Sequence, residues 1–171
     1  MGLLKTFKLG GIHPPEEKQS KDAAIEVLPI PKVAFIPFSQ HLGTPAKALV
    51  KRGDLVKVGQ LIAKGEGFIS ANIHSSVSGK VKKIDNIIDG SGYRRQAVVI
   101  DVDGDEWEDD IIRDDEIKKE VLLNQKEIIA KINEKGVVGL GGATFPSHVK
   151  LMVPDGKKAE VLIINGVECE P

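Results

Sequence analysis

From Ile25 to Ile100 the apolar positions fall in short β-branched runs, each closed by glycine, proline, asparagine or aspartate. Runs of about four to eight such residues between turn residues predict strands, so this stretch reads as an all-β unit. The strands are expected in "VAFIPF", "AKALV", "QLIAKG", "SGKVKKI" and "AVVIDV". Pro29, Pro31, Pro37 and Pro45 each lack a ladder donor, which places them at strand ends or on edges. The expected product is a small barrel or sandwich.

After Ile100 the pattern changes. "DVDGDEWEDDIIRDDE" is acidic and aperiodic and reads as an exposed linker. With Asp114 or Asp115 as cap, Ile117, Val121, Leu122, Ile128, Ile129 and Ile132 recur at helical spacing up to Glu134, and Gly136 suits a left-handed helix end. "PSHVKLM" predicts a short second helix, since proline is tolerated in a first turn. "AEVLIIN", residues 159–165, is a continuous apolar run and predicts a buried strand. Helix, loop, helix and strand begin an α/β unit. The expected organisation is an extended arm over 1–24, the β unit over 25–103, a linker over 104–113 and the α/β unit over 114–171.

Composition narrows the function classes. The 171 residues are 41% hydrophobic, enough for one substantial core or two modest ones. A net charge of −1, with one tryptophan and one tyrosine, provides neither a steering field nor a stacking platform for nucleic acid. The single Cys169 excludes an internal disulfide framework. It equally excludes an iron–sulfur cluster held by this chain alone, which needs about four thiolates, and the segment reads as intracellular. No apolar run approaches the ~18 residues of a membrane span, and "MGLLKTFKLGG" lacks the apolar centre of a secretory signal. His13, His41, His74 and His148 show no paired ligand spacing. Asp101, Asp103 and Asp105 alternate as in a calcium loop, but the glycine and terminal glutamate of that loop are not at their positions, and a solvated linker explains them better.

The chemistry concentrates in "GVVGLGGATFPSHVK", residues 136–150, with four glycines. Glycine carries a large ordering entropy, so such a cluster marks either close approach of a phosphate-bearing cofactor to the main chain or a tight structural turn. It is not a P-loop, for no Gly-Lys-Ser/Thr follows. Nor is it the dinucleotide fingerprint, because it follows a helix and lacks the G-x-G-x-x-G spacing.

Three resemblances extend this reading. "VKRGDLVKVGQLIA" (50–63) and "SSVSGKVKKI" (75–84) resemble the two halves of the barrel-sandwich hybrid of biotinyl and lipoyl carrier domains. A carrier needs a lysine at the intervening hairpin tip. Here the tip is "GEGFISAN" (65–72), without lysine, and Lys64 lies on the strand side, so the fold is expected without the swinging arm. "GLGGATFPSHVK" together with "NGVECEP" (165–171) is similar to the flavin-binding loops of the flavoprotein subunit of respiratory complex I. Finally "GGIHPPEEK", "PFSQHLGTPAKALVKRGDLVKVGQLIA", "FISANIHSSVSGKV", "GVVGLGGATFPSHVK" and "NGVECEP" are similar to the RnfC family of Rnf complexes, membrane-associated ferredoxin:NAD oxidoreductases coupled to ion transport.

The resemblance implies an α+β, multi-domain fold: an N-terminal β barrel-sandwich hybrid followed by the start of an FMN-binding α/β domain. It implies electron transfer between NAD(H) and ferredoxin through FMN and 4Fe-4S clusters, at the cytoplasmic side of the cell membrane. Other subunits of the complex would be partners, and ferredoxin an indirect one. Gly139, Gly141, Gly142 and Ala143 would offer bare backbone to FMN, and Lys150 a positive charge to the cofactor or a bound nucleotide. Asn165 would bond flavin or its ribityl chain, and Glu168 and Glu170 would line the pocket where nicotinamide meets flavin. Such a cofactor does need unobstructed donors, a cation and a few acceptors. No residue is assigned a catalytic or metal-binding role. Two positions depart from the complex I pattern: Leu140 stands where arginine is usual, and Val167 where aspartate is. The remaining flavin residues and two four-cysteine motifs of the family lie downstream, so the chain is expected to be an N-terminal piece that binds FMN weakly or not at all. The alternatives are a subunit-docking module whose glycine loop is a mere connection, and a carrier domain, against which the tip argues.

Overall fold

The computed structural model describes residues 18–117, 119–140 and 143–163. It divides into two units, Met1–Leu28 with Val161–Pro171, and Pro29–Glu160. In the first, the described part has tight turns, with the Lys21 and Ala23 amides donating to the carbonyls of Lys18 and Ser20 at 3.2 and 3.0 Å.

The second unit holds seven strands among its described residues. They are β1 (Val33–Pro37), β2 (Lys47–Ala48), β3 (Leu55–Val56), β4 (Leu61–Lys64), β5 (Ile73–His74), β6 (Gly79–Ile88) and β7 (Arg94–Val102). One sheet runs β1-β7-β6-β3 and the other β2-β4-β5. Every pairing is antiparallel. A single buried cluster joins both sheets: Ile36, Val56, Val81, Val98 and Ile100 from the first meet Ile62, Ala63 and Ile73 from the second, with Phe38, Ala46 and Val50 from the connections. Burial of this apolar surface is the main force holding the sandwich. The five expected strand runs all carry strands, and Pro37 ends the edge strand β1, where its missing donor faces no partner strand.

The two turns of the "GD…GQ" segment have one construction. Asp54 accepts from the Lys51 amide at 2.9 Å, and Gln60 accepts from the Lys57 amide at 3.0 Å. Each turn contains a glycine at positive φ, Gly53 at 95° and Gly59 at 85°. Each then pairs with the later half: the Gly53 amide donates to Val81, and the Gly59 amide to Ser75, at 2.8 and 2.7 Å. The motif is therefore a pair of side-chain-closed turns whose freed backbone clips the two halves together.

The acidic stretch, expected as a linker, keeps its carboxylates largely exposed but is bonded along the sandwich. Val58 donates to Glu106 and accepts from Glu108 at 2.8 and 3.0 Å, while Ser78 Oγ donates to the Asp103 carbonyl at 2.8 Å. Arg113 stacks over the Trp107 ring at 4.3 Å.

Two expectations fail. The helix expected from Asp114 or Asp115 is only α1 (Gln125–Glu134). Asn124 and Glu127 form a capping box there, while Asp114 accepts from the Glu116 amide at 3.1 Å, a local turn that competes with helix. Gly136 does follow in the left-handed region, at φ 65°. The second failure is the strand over 159–165: its described part is irregular, with Val161, Leu162 and Ile163 exposed. A continuous apolar run is a stable strand only when neighbours cover both faces, and none of the described strands pairs with it.

Candidate functional site

The glycine-rich segment closes on itself. Val138 and Pro146 form an antiparallel bridge, the Gly139 amide donates to Phe145 at 3.0 Å, and the Ser147 amide donates to Val137 at 2.9 Å. These bonds make a neck that joins Val137–Gly139 to Phe145–Ser147. The short helix α2 (Ser147–Lys150) follows at once, with Pro146 as its cap residue rather than its first helical residue.

The neck brings Lys150 back over Gly139. Its Nζ lies 2.7 Å from the point a Cβ on Gly139 would occupy, so the ammonium fills the notch that the missing side chain leaves. Lys150 itself is exposed. Of the site residues expected from sequence, Gly139 and Lys150 are thus together, and Ala143 lies exposed on the same loop. Gly141, Gly142, Asn165, Glu168 and Glu170 lie outside the described residues.

The loop is seated on the sandwich. The Leu42 amide donates to the Thr144 carbonyl at 3.3 Å, and Thr144 takes a left-handed φ of 51°, unusual for a β-branched residue. A cleft of about 410 Å³ runs beside this contact, lined by Ala143 and Thr144 on one side and Ser39, Asp89 and Arg95 on the other. Arg95 is fixed there by Nε donating to Asp89 at 3.0 Å and Nη1 donating to Ser39 at 3.2 Å. Burial pushes the Asp89 carboxyl up, but the Tyr93 amide, Arg95 and the Ser91 amide together hold it below the ordinary carboxylate range. It is therefore ionised, and the pair is a fixed dipole at the loop's edge. Sequence reading missed Arg95 because no motif marks it; only the fold sets β7 beside the loop.

On the other flank, a smaller cleft of about 220 Å³ lies between Gly136, Val138 and Leu140 and the sandwich residues His41, Asn72 and His74, with Lys135 at its rim. Desolvation, then the charge of Lys135, holds His74 below the usual histidine range, against the opposing charge of Glu134. His148, on α2, is buried; desolvation lowers its pKa, and a backbone hydrogen bond with Phe68 only partly restores it. Both rings are therefore held toward the neutral form. Among the described residues no group of three or more histidine, cysteine or carboxylate side chains is arranged to hold a metal ion.

Chemically, the arrangement presents side-chain-free backbone at Gly139 with a mobile cation over it, and a guanidinium fixed by Asp89 and Ser39 on the cleft that Ala143 and Thr144 line. Anionic oxygens of a ligand suit such a surface.

Comparison with known proteins agrees in both halves. The RnfC barrel sandwich hybrid domain matches residues 5–105, and the Nuo51 FMN-binding domain matches residues 132–171. The C subunit of the proton-translocating ferredoxin:NAD(+) oxidoreductase complex of Clostridium ljungdahlii is 48% identical over 99% of this chain and 36% of its own length. Its counterpart in the Na(+)-translocating ferredoxin:NAD(+) oxidoreductase complex of Acetobacterium woodii is 42% identical over 97% of this chain and 37% of its own length. The corresponding protein of the ion-translocating oxidoreductase complex of Rhodobacter capsulatus is 42% identical over 98% of this chain and 33% of its own length. The chain spans about a third of the length of these relatives. With the RnfC sandwich accounting for more than half of its residues, and a flavin-domain match taking in the glycine loop and Lys150, the chain belongs to the RnfC family.

Proposed function

We propose that this chain is the N-terminal part of the flavin-bearing subunit of an ion-translocating ferredoxin:NAD oxidoreductase, and that its glycine-rich loop lies against FMN. The relation of Lys150 to Gly139 carries the reading: a loop serving only as a connection has no need of an ammonium held over side-chain-free backbone. The described residues fit the cofactor. Gly139 puts no side chain on the main chain, Lys150 and Arg95 supply positive charge for phosphate or for a reduced ring, and the Leu42–Thr144 bond holds the loop to the 38–44 connection of the sandwich. Gly141, Gly142 and Ala143 extend the bare surface in this proposal, and Asn165, Glu168 and Glu170 contribute acceptors from the following segment.

Bound FMN supplies the exchange between two-electron hydride chemistry and one-electron carriers. The chain's own residues bind and orient it and exclude side chains from its face. NAD(H) as hydride partner, 4Fe-4S clusters as onward carriers, docking against other subunits at the cytoplasmic face of a membrane and indirect exchange with ferredoxin complete the proposal. Among the described residues no helix is long and apolar enough to cross a membrane.

The test is flavin titration of the full-length protein. FMN is expected to bind with quenching of its fluorescence, and Lys150→Ala to weaken binding by about tenfold or more, the range for a hydrogen bond to a charged group. A full-length protein that takes up no FMN, or a Lys150→Ala variant with unchanged affinity, overturns the assignment in favour of a docking module.

A further inference from the structure

The hairpin tip over 65–72 meets the segment that carries the glycine-rich loop directly at the loop's entrance and, through one neighbouring loop, at its outer part. At the loop's entrance, Asn72 Nδ2 donates to the Glu134 carbonyl in the last turn of α1 at 3.0 Å. The next turn packs so closely on the same residue that a Cβ on Gly136 would lie 2.2 Å from the Asn72 carbonyl oxygen. At the outer part of the loop, Leu42 donates to Thr144. Leu42 belongs to the 38–44 connection, itself tied to the tip: the Thr44 amide donates to Ile69 at 2.9 Å, Ser70 Oγ donates to Thr44 at 2.7 Å, and the Ala71 amide donates to His41 Nε2 at 3.1 Å.

The orientation of Asn72 follows from its partners. Its Oδ1 accepts from the Gly65 amide at 3.0 Å, which can only donate, leaving Nδ2 for the Glu134 carbonyl, which can only accept. One side chain thus closes the tip upon itself and ties it to the helix that leads into the loop.

We propose that this lysine-free tip is a fixed clamp on the glycine-rich loop, with Asn72 as the positioning residue that couples the sandwich to the loop's geometry. Its consequence for flavin affinity rests on the function proposed above; the mechanical coupling does not. A tip engaged in this way cannot swing, so the sandwich serves the loop as scaffold rather than as a carrier.

Asn72→Asp separates the two roles of the side chain. The carboxylate still accepts from Gly65, but it has no donor for Glu134 and sets a negative charge against the carbonyl end of α1, where the helix dipole disfavours it. Hydrogen exchange and FMN titration of the full-length variant are the readouts. Amides at 134–140 and 143–150 are expected to exchange about tenfold faster, amides at 65–71 to be unchanged, and the FMN dissociation constant to rise about tenfold, within the usual range of coupling between sites. Asn72→Ala, which removes the bond to Glu134 and also the one to Gly65, is expected to loosen 134–140 in the same way and serves if Asn72→Asp does not fold. Unchanged exchange at 134–150 in a folded variant overturns the clamp. Faster exchange with unchanged FMN affinity overturns the positioning role. If the unsubstituted full-length protein takes up no FMN, the flavin reading alone falls, and the exchange comparison still decides the clamp.

Discussion

Lys150 rests its ammonium 2.7 Å from where a methyl group on Gly139 would sit. The two residues are brought together by the neck at Val138 and Pro146 and by one turn of α2. Gly139 has no positive φ to protect, and its nearest obstacle is the far end of a flexible side chain. Gly139→Ala is therefore expected to change unfolding stability by less than about 1 kcal/mol, as the lysine tip swings aside. FMN affinity of the full-length protein is expected to fall in the same substitution. Thermal unfolding and flavin titration, made side by side, check the pair of outcomes; a large loss of stability would mean that the notch is structural.

Gly136 is the opposite case. It adopts φ 65°, and a Cβ there would meet the backbone of Asn72 at 2.2 Å. Gly92 has a comparable φ of 81° with open space around it. Gly92→Ala is expected to show only the left-handed strain of about 1–2 kcal/mol. Gly136→Ala adds a backbone collision and is expected to be clearly the more damaging. Urea unfolding of both variants measures the difference, which reports the packing of α1 on the sandwich.

Acid should loosen the same region. His148 and His74 both have folded pKa values below the unfolded value of 6.5. Their neutral forms are favoured by folding, so the stability they contribute is present above the unfolded value and is lost as pH falls through the folded values. Hydrogen-exchange protection at 143–150, taken relative to the intrinsic rate at each pH, is expected to fall more between pH 7.5 and about pH 5 in the unsubstituted protein than in His148→Gln, which has no proton to gain there. An equal loss of protection in the two would remove His148 as the cause.

The tip hairpin is expected to stay unmodified. Lys64 is the exposed last residue of β4, paired in register with Lys47, and the tip beyond it turns back into contacts with Thr44 and Asn72. Intact-mass measurement after incubation with biotin and lipoate ligases should find no adduct. An adduct on Lys64 would restore the carrier reading.

Much of the β unit was legible because its causes are local. The strand runs alternate or cluster β-branched residues, the "GD" and "GQ" turns are closed by side chains acting three residues away, and Gly136 takes the left-handed φ of a helix end. The two misreadings, at 114–123 and 159–163, were apolar patterns taken at face value. In the first, Asp114 forms a local turn and Asn124 supplies the better cap; in the second, an apolar run stands exposed without a strand beside it among the described residues.

By itself the sequence determined most of the strand-rich half and the glycine loop with its downstream lysine, because periodicity, turn chemistry and motif spacing act within a few residues; the family came from the resemblance of whole segments to known proteins. The tertiary structure alone decided which distant groups meet: Lys150 over Gly139, Asn72 on Glu134, Leu42 on Thr144 and Arg95 beside Thr144. Such pairings depend on sheet register and on how the loops pack over the sandwich, and those are properties of the whole folded chain rather than of any short window in it.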